Sequence, residues 1–133
     1  MTIPTDLSSI RALVVDDSAS MRSTVRSALK AFGLQKIDDA EDGRAALTHL
    51  ARRAYDIVIL DWNMPVMTGI ELLRIMRADH AMKVIPVIML TAEAEKGHVV
   101  EAIGAGITDY IVKPFTTETL KKKLDRILEG HFH

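Results

Sequence analysis

The chain has 133 residues, 48% hydrophobic and 26% charged, the balance of one folded domain rather than of a disordered segment. Its 17 Lys and Arg residues against 18 Asp and Glu residues give a formal charge of −1, so no global field draws it to nucleic acid or an anionic membrane. With no cysteine, disulfides, thiol catalysis and thiolate-held zinc are excluded.

The opening Met1–Ser9 is short and polar and lacks the basic start and apolar run of a secretion signal. No stretch approaches the roughly 20 apolar residues that span a bilayer. A cytoplasmic protein is the expectation. Five β-rich runs follow: Ala12–Val15, Ile37–Ala40, Ile57–Leu60, Pro86–Leu90 and Tyr110–Val112. Three are almost continuously apolar, the pattern of strands covered on both faces in a parallel sheet. The second is the most polar and fits an edge.

Between the runs the period shifts toward that of a helix. Met21, Val25, Ala28, Leu29 and Phe32 share one helical face, and Gly33 is placed to end it. Ala46, Leu47, Leu50 and Ala51 mark a second helix, and Ile70, Leu73, Met76 and Arg77 a third after Gly69. Val99, Val100 and Ile103 mark a fourth, closing near Gly104 and Gly106. Leu120, Leu124, Ile127 and Leu128 mark a fifth, capped by Thr116 or Thr117. The expected domain spans 1–133 with a core from about 10 to 129, and Gly130–His133 reads as a frayed end. Strand and helix alternate five times, which predicts an α/β three-layer sandwich with right-handed crossovers.

In an open parallel sheet, sites form at the carboxyl ends of the strands. Asp16 and Asp17 follow the first strand, Asp61 the third, Thr91 the fourth, and Lys113 closes the fifth. Any one such Asp is most simply a turn or cap residue. Three carboxylates at one pole repel one another unless a cation or a raised pKa intervenes. Hard oxygen ligands of this kind suit Mg²⁺, and a nearby Lys and Thr can take up phosphoryl oxygens. The inventory fits metal-assisted phosphoryl transfer onto a carboxylate. A P-loop is absent, and the Asp-Asp-Ser turn is no Gly-rich phosphate cradle, so a nucleotide or flavin cofactor is not expected.

The segments Leu13-Val14-Val15-Asp16-Asp17-Ser18, Asp61-Trp62-Asn63-Met64-Pro65 with Met67 and Gly69, Thr91-Ala92-Glu93-Ala94, and Val112-Lys113-Pro114-Phe115-Thr116 make the chain recognisable. It resembles the receiver domain of two-component response regulators, most nearly the single-domain chemotaxis members, over nearly its whole length. The resemblance implies a (βα)5 flavodoxin-like fold with strand order 2-1-3-4-5 and a cis Lys113–Pro114 bond. It implies Asp61 as phosphoacceptor, with Lys113 and Thr91 contacting the phosphoryl group. Asp16, Asp17, Asp61 and the Asn63 carbonyl would hold Mg²⁺. Asn63 and Glu93 would tune self-dephosphorylation, and Tyr110 would switch with Thr91. A partner face of Ala94, Lys96, Val99, Val112, Thr116 and Lys123 is implied. So are a chemotaxis histidine kinase as donor, a flagellar motor switch protein as target, and a phosphatase as a further partner, with the protein a monomer.

Thr68 stands where receivers often carry Asp, but it can still cap the helix that begins near Gly69. His49, His80 and His98 read as surface residues, and Trp62 as an amphipathic cover beside the acceptor. Two other readings remain. The chain could serve as a phosphorelay intermediate or phosphate sink without motor contact. It could instead be a small Mg²⁺-dependent aspartyl phosphatase, against which stands Asn63, where such enzymes commonly place a second Asp.

Overall fold

The β-branched and leucine-rich runs form five strands: β1 (Arg11–Val15), β2 (Lys36–Ala40), β3 (Ile57–Asp61), β4 (Val87–Ala92) and β5 (Asp109–Lys113). The structure, a computed structural model, describes residues 7–92 and 96–131. All pairings are parallel and the sheet order is β2-β1-β3-β4-β5. Parallel neighbours need crossovers, and these are the helices α1 (Ala19–Phe32), α2 (Gly43–Arg52), α3 (Gly69–Ala78) and α4 (Lys96–Ala105), with α5 (Thr117–His131) last. The central strand β3 is buried at every position, whereas edge strand β2 buries only Ile37 and Ala40.

Side chains along each strand alternate between two cores. Leu13, Val15, Val58, Leu60 and Met89 face one core with Leu50 of α2, Leu72, Leu73 and Met76 of α3, and Ala102 of α4. Ala12, Val14, Ile57, Ile59, Ile88 and Leu90 face the other with Val25 and Leu29 of α1 and Leu120, Leu124 and Leu128 of α5. A one-residue slip in any strand would turn each set to the wrong layer.

The helix ends are chemically specified. Ser18 accepts the Met21 N–H at the start of α1, and Asp42 accepts the Ala45 N–H at the start of α2. Thr68 and Glu71 form a reciprocal capping box at α3. Thr116 accepts the Thr119 N–H and so caps α5. Gly33 ends α1 at φ 124°, a conformation L side chains rarely adopt, and donates to the Leu29 and Lys30 carbonyls.

Four expectations need correction. Val100 and Ile103 are 71% and 61% exposed, and α4 buries Ala102 instead; the sheet-facing stripe runs through Val99 and Ala102, one step of 100° away. Helix α5 continues to His131 rather than fraying at Gly130; Phe132 and His133 lie outside the described residues. His49 is half-buried, with Nδ1 3.4 Å from the Tyr55 hydroxyl, which donates to Asp38 at 2.6 Å. Trp62 is a core residue rather than a cover.

Candidate functional site at the carboxyl edge of the sheet

Strand register brings the chemistry together. Asp61 pairs with Leu90 as the last residue of β3, Thr91 pairs with Val112, and Lys113 pairs with Ala92 as the last residue of β5. These three lie inside the ladder rather than just after it, so backbone hydrogen bonding fixes where their side chains start. Asp16 follows β1 directly, and its N–H donates to the Ala40 carbonyl of β2. Strand β1 has β2 on one side and β3 on the other, so Asp16 and Asp17 sit where the strand order reverses.

Lys113 Nζ donates to Asp61 Oδ1 at 2.6 Å and stands 3.8 Å from Asp16 Oδ2. Asp16 and Asp61 are almost fully buried, and Asp17 is exposed. One oxygen from each of these three carboxylates lies within 4.8 Å of the others. Burial pushes the Asp61 pKa up; the Lys113 hydrogen bond and charge oppose the rise, as does a hydrogen bond from the Asn63 backbone amide. Burial also pushes Asp16 up, opposed by the Ser18 N–H that donates to Oδ1 at 2.8 Å and reinforced by the charge of Asp61.

Among the described residues, two buried polar atoms here have no hydrogen-bond partner: Asp16 Oδ2 and Thr91 Oγ1. A buried oxygen left unpaired is costly, so its retention points to a guest. Three hard carboxylates, one with a buried oxygen that accepts no hydrogen bond and meets only the Lys113 charge at 3.8 Å, fit a small divalent cation such as Mg²⁺. The unpaired hydroxyl and the ammonium fit anionic oxygens beside it.

Asn63 is exposed and contributes its backbone amide. Tyr110 is half-buried on β5, and the Lys123 ammonium lies 5.3 Å from its ring centroid. Of the expected partner face, Val99 is half-buried, Val112 and Thr116 are exposed, and Lys123 is partly buried. Glu93 and Ala94 lie outside the described residues, as does the side chain of Lys96.

Three contributors were not foreseen. Asp109 Oδ1 accepts both Lys123 Nζ and the Tyr110 N–H, each at 2.8 Å, so it positions the aromatic and the lysine at once. Arg22 donates through Nη1 to the Asp16 carbonyl at 2.8 Å and through Nε to Asp39 at 3.1 Å, which clamps the acidic turn. Gly69 passes so close to the Asp61 carbonyl that a Cβ would overlap it, and its N–H bonds the Trp62 carbonyl at 2.9 Å. The glycine in the Met67-x-Gly69 motif was the only visible signal; the other two contributors depend on the Lys123–Asp109 and Arg22–Asp39 pairings, 14 and 17 positions apart.

Residues 12–125 match the family described as the response regulator receiver domain. The chain is 48% identical over 120 residues to chemotaxis protein CheY-3 of Vibrio cholerae, covering 90% of this chain and 92% of that one. It is 44% identical over 120 residues to chemotaxis protein CheY of Pseudomonas aeruginosa, covering 90% and 97%. Among solved structures it is similar to Vibrio cholerae chemotaxis protein CheY4, with TM-score 0.83 and 40% identity over 90% of this chain and 98% of that one.

Proposed function

The chain belongs to the response regulator receiver family, is CheY-like, and on that premise we propose that it is a chemotaxis switch operated by phosphorylation of Asp61. The observation that carries this reading is the part-buried Lys113–Asp61 contact at the same sheet edge as the Thr91 hydroxyl, which has no hydrogen-bond partner among the described residues. A carboxylate attacks phosphorus poorly because both are anionic, and the surrounding cations decide whether it can. In the proposed transfer from a kinase phosphohistidine, the P–N bond breaks as an Asp61 oxygen forms the new P–O bond. The imidazole nitrogen leaves with the electron pair.

Lys113 would exchange its present partner for a phosphoryl oxygen, and Thr91 would donate its free hydroxyl to another. Asp16, Asp17, Asp61 and the Asn63 carbonyl would hold Mg²⁺, which when bound supplies positive charge against the developing phosphoryl charge. Asn63 and Glu93 would orient the water that later cleaves the acyl phosphate, returning Asp61 to its carboxylate. The Thr91 movement would leave space for the Tyr110 ring, altering a face built from α4, β5 and α5. Ala94, Lys96, Val99, Val112, Thr116 and Lys123 would form that face, with a flagellar motor switch protein as its target and a chemotaxis kinase, and in turn a phosphatase, as its regulators.

Incubation with acetyl phosphate and Mg²⁺ tests the chemistry. The expected product is a transient one-to-one adduct, absent in Asp61→Asn. Repeated turnover of stable phosphomonoesters would favour a phosphatase instead. Binding to the motor-switch N-terminal peptide, with and without beryllofluoride, tests the output. Equal affinity in both states would leave a relay or sink receiver.

A further inference from the structure

Residues 62–69 form a loop that starts beside Asp61 and is closed by the Gly69 N–H bond to the Trp62 carbonyl. Its inward side chains are anchored. Met64 is buried in the core, and Met67 packs where a Cβ on Gly43 would overlap it. Val66, between them, is 72% exposed. It is also the only non-glycine residue at positive φ among the described residues, at 70°. The Met67 N–H reaches back to the Pro65 carbonyl at 2.7 Å, closing a three-residue γ-turn around it.

A β-branched residue is among the poorest choices for this conformation, in which Gly or Asn is at ease. An exposed valine alone needs no explanation. An exposed valine that is also strained, at the tip of a loop held by buried Met64 and partly buried Met67, gains nothing from its own packing. Strain of this kind gathers at functional sites. Val66 lies three residues from Gly69, which abuts the Asp61 carbonyl, so the chain places it within about 11 Å of Gly69. Any macromolecule delivering a phosphoryl group to Asp61 must cover the rim of this site; a small donor need not.

We infer that Val66 is a docking contact for the protein phosphodonor, meeting an apolar patch beside the donor's phosphohistidine. The inference rests on the phosphoacceptor reading of Asp61. The strained turn holds the side chain outward before the donor arrives, which lowers the ordering cost of docking.

Two donors with the same P–N chemistry separate contact from catalysis. Monophosphoimidazole has no protein surface; the phosphorylated histidine domain of the host cell's chemotaxis kinase has one. In Val66→Thr, which keeps shape and β-branching but adds a hydroxyl, kcat/KM from the kinase domain should fall at least fivefold, mainly through KM. Transfer from monophosphoimidazole should stay within twofold of wild type. Val66→Asn, which suits positive φ and guards against misfolding, should behave alike, and Val66→Ile should retain transfer. Wild-type transfer from the kinase domain to Val66→Thr would overturn the inference alone. Equal losses from both donors would also overturn it, since Val66 would then only shape the Asp61 loop. A wild-type protein labelled by neither donor would remove the phosphoacceptor reading itself.

Discussion

Thr91 and Tyr110 lie on the same face of the sheet. Tyr110 pairs with Met89, two residues before Thr91, and side chains two apart on a strand share a face. Tyr110 packs partly into the core that holds Leu60 and Met89. A hydroxyl drawn toward the Asp61 edge therefore vacates space on the face the ring occupies.

Thr91→Ala should weaken beryllofluoride binding at Asp61 ten- to a hundredfold, the size of one lost hydrogen bond to a charged group, about 1.5–3 kcal/mol. It should also remove most of the gain in motor-peptide affinity. Trp62, the single tryptophan, follows Asp61 directly and reports the titration by fluorescence.

Lys113 is the cation that meets both buried carboxylates. Lys113→Ala should still label with acetyl phosphate, at a rate reduced about a hundredfold by analogy with losing one transition-state donor. The labelled variant should bind motor peptide no better than the unlabelled one. Normal activation would mean the ammonium has no part in the switch.

Removing acid from the cluster should stabilise the metal-free protein. Burial raises the folded-state pKa of Asp16 and Asp61 above their unfolded values. Between those values the folded state holds more protons, so this contribution to stability falls as pH rises from the ordinary carboxylate range. At Asp38 burial raises the pKa, but the Tyr55 hydrogen bond and the Arg53 and Arg11 charges outweigh it and hold the pKa below normal, so its contribution runs the other way. Wild type must therefore be compared with Asp16→Asn, whose Tm at pH 7 without Mg²⁺ should be higher and less sensitive to pH. Mg²⁺ at a hundred times Kd should stabilise wild type by about 2.7 kcal/mol and leave Asp16→Asn nearly unmoved at that concentration.

The start of α3 should resist change unequally. Thr68→Ala removes half of an exposed capping box and should cost about 1 kcal/mol with labelling intact. Gly69→Ala places a methyl group against the Asp61 carbonyl and should reduce both stability and labelling. Thermal melts and acetyl phosphate labelling of the two variants check the contrast.

Much of this was legible along the chain because its causes are local. Continuous apolar runs announce strands buried on both faces, and β2 betrayed its edge position through Asp38 and Asp39. The Thr68 cap, the Gly33 stop and the acidic residues at strand ends follow from chemistry within a few positions. The side of α4 that would be buried was not legible, because Val99, Val100 and Ile103 are equally apolar and only packing against the sheet selects Val99 and Ala102.

By itself the sequence determined the alternation of strand and helix, the acid-rich carboxyl edge and the membership of a family. Tertiary structure decided the contacts that give those residues their chemistry: Lys113 reaching Asp61 across 52 positions, Asp109 holding Lys123 beside Tyr110, and Val66 held outward in a strained turn. The reason is physical. Propensity and patterning act over one turn or a few residues, while a buried ion pair exists only when strands far apart in the chain are brought into register and water is excluded around them.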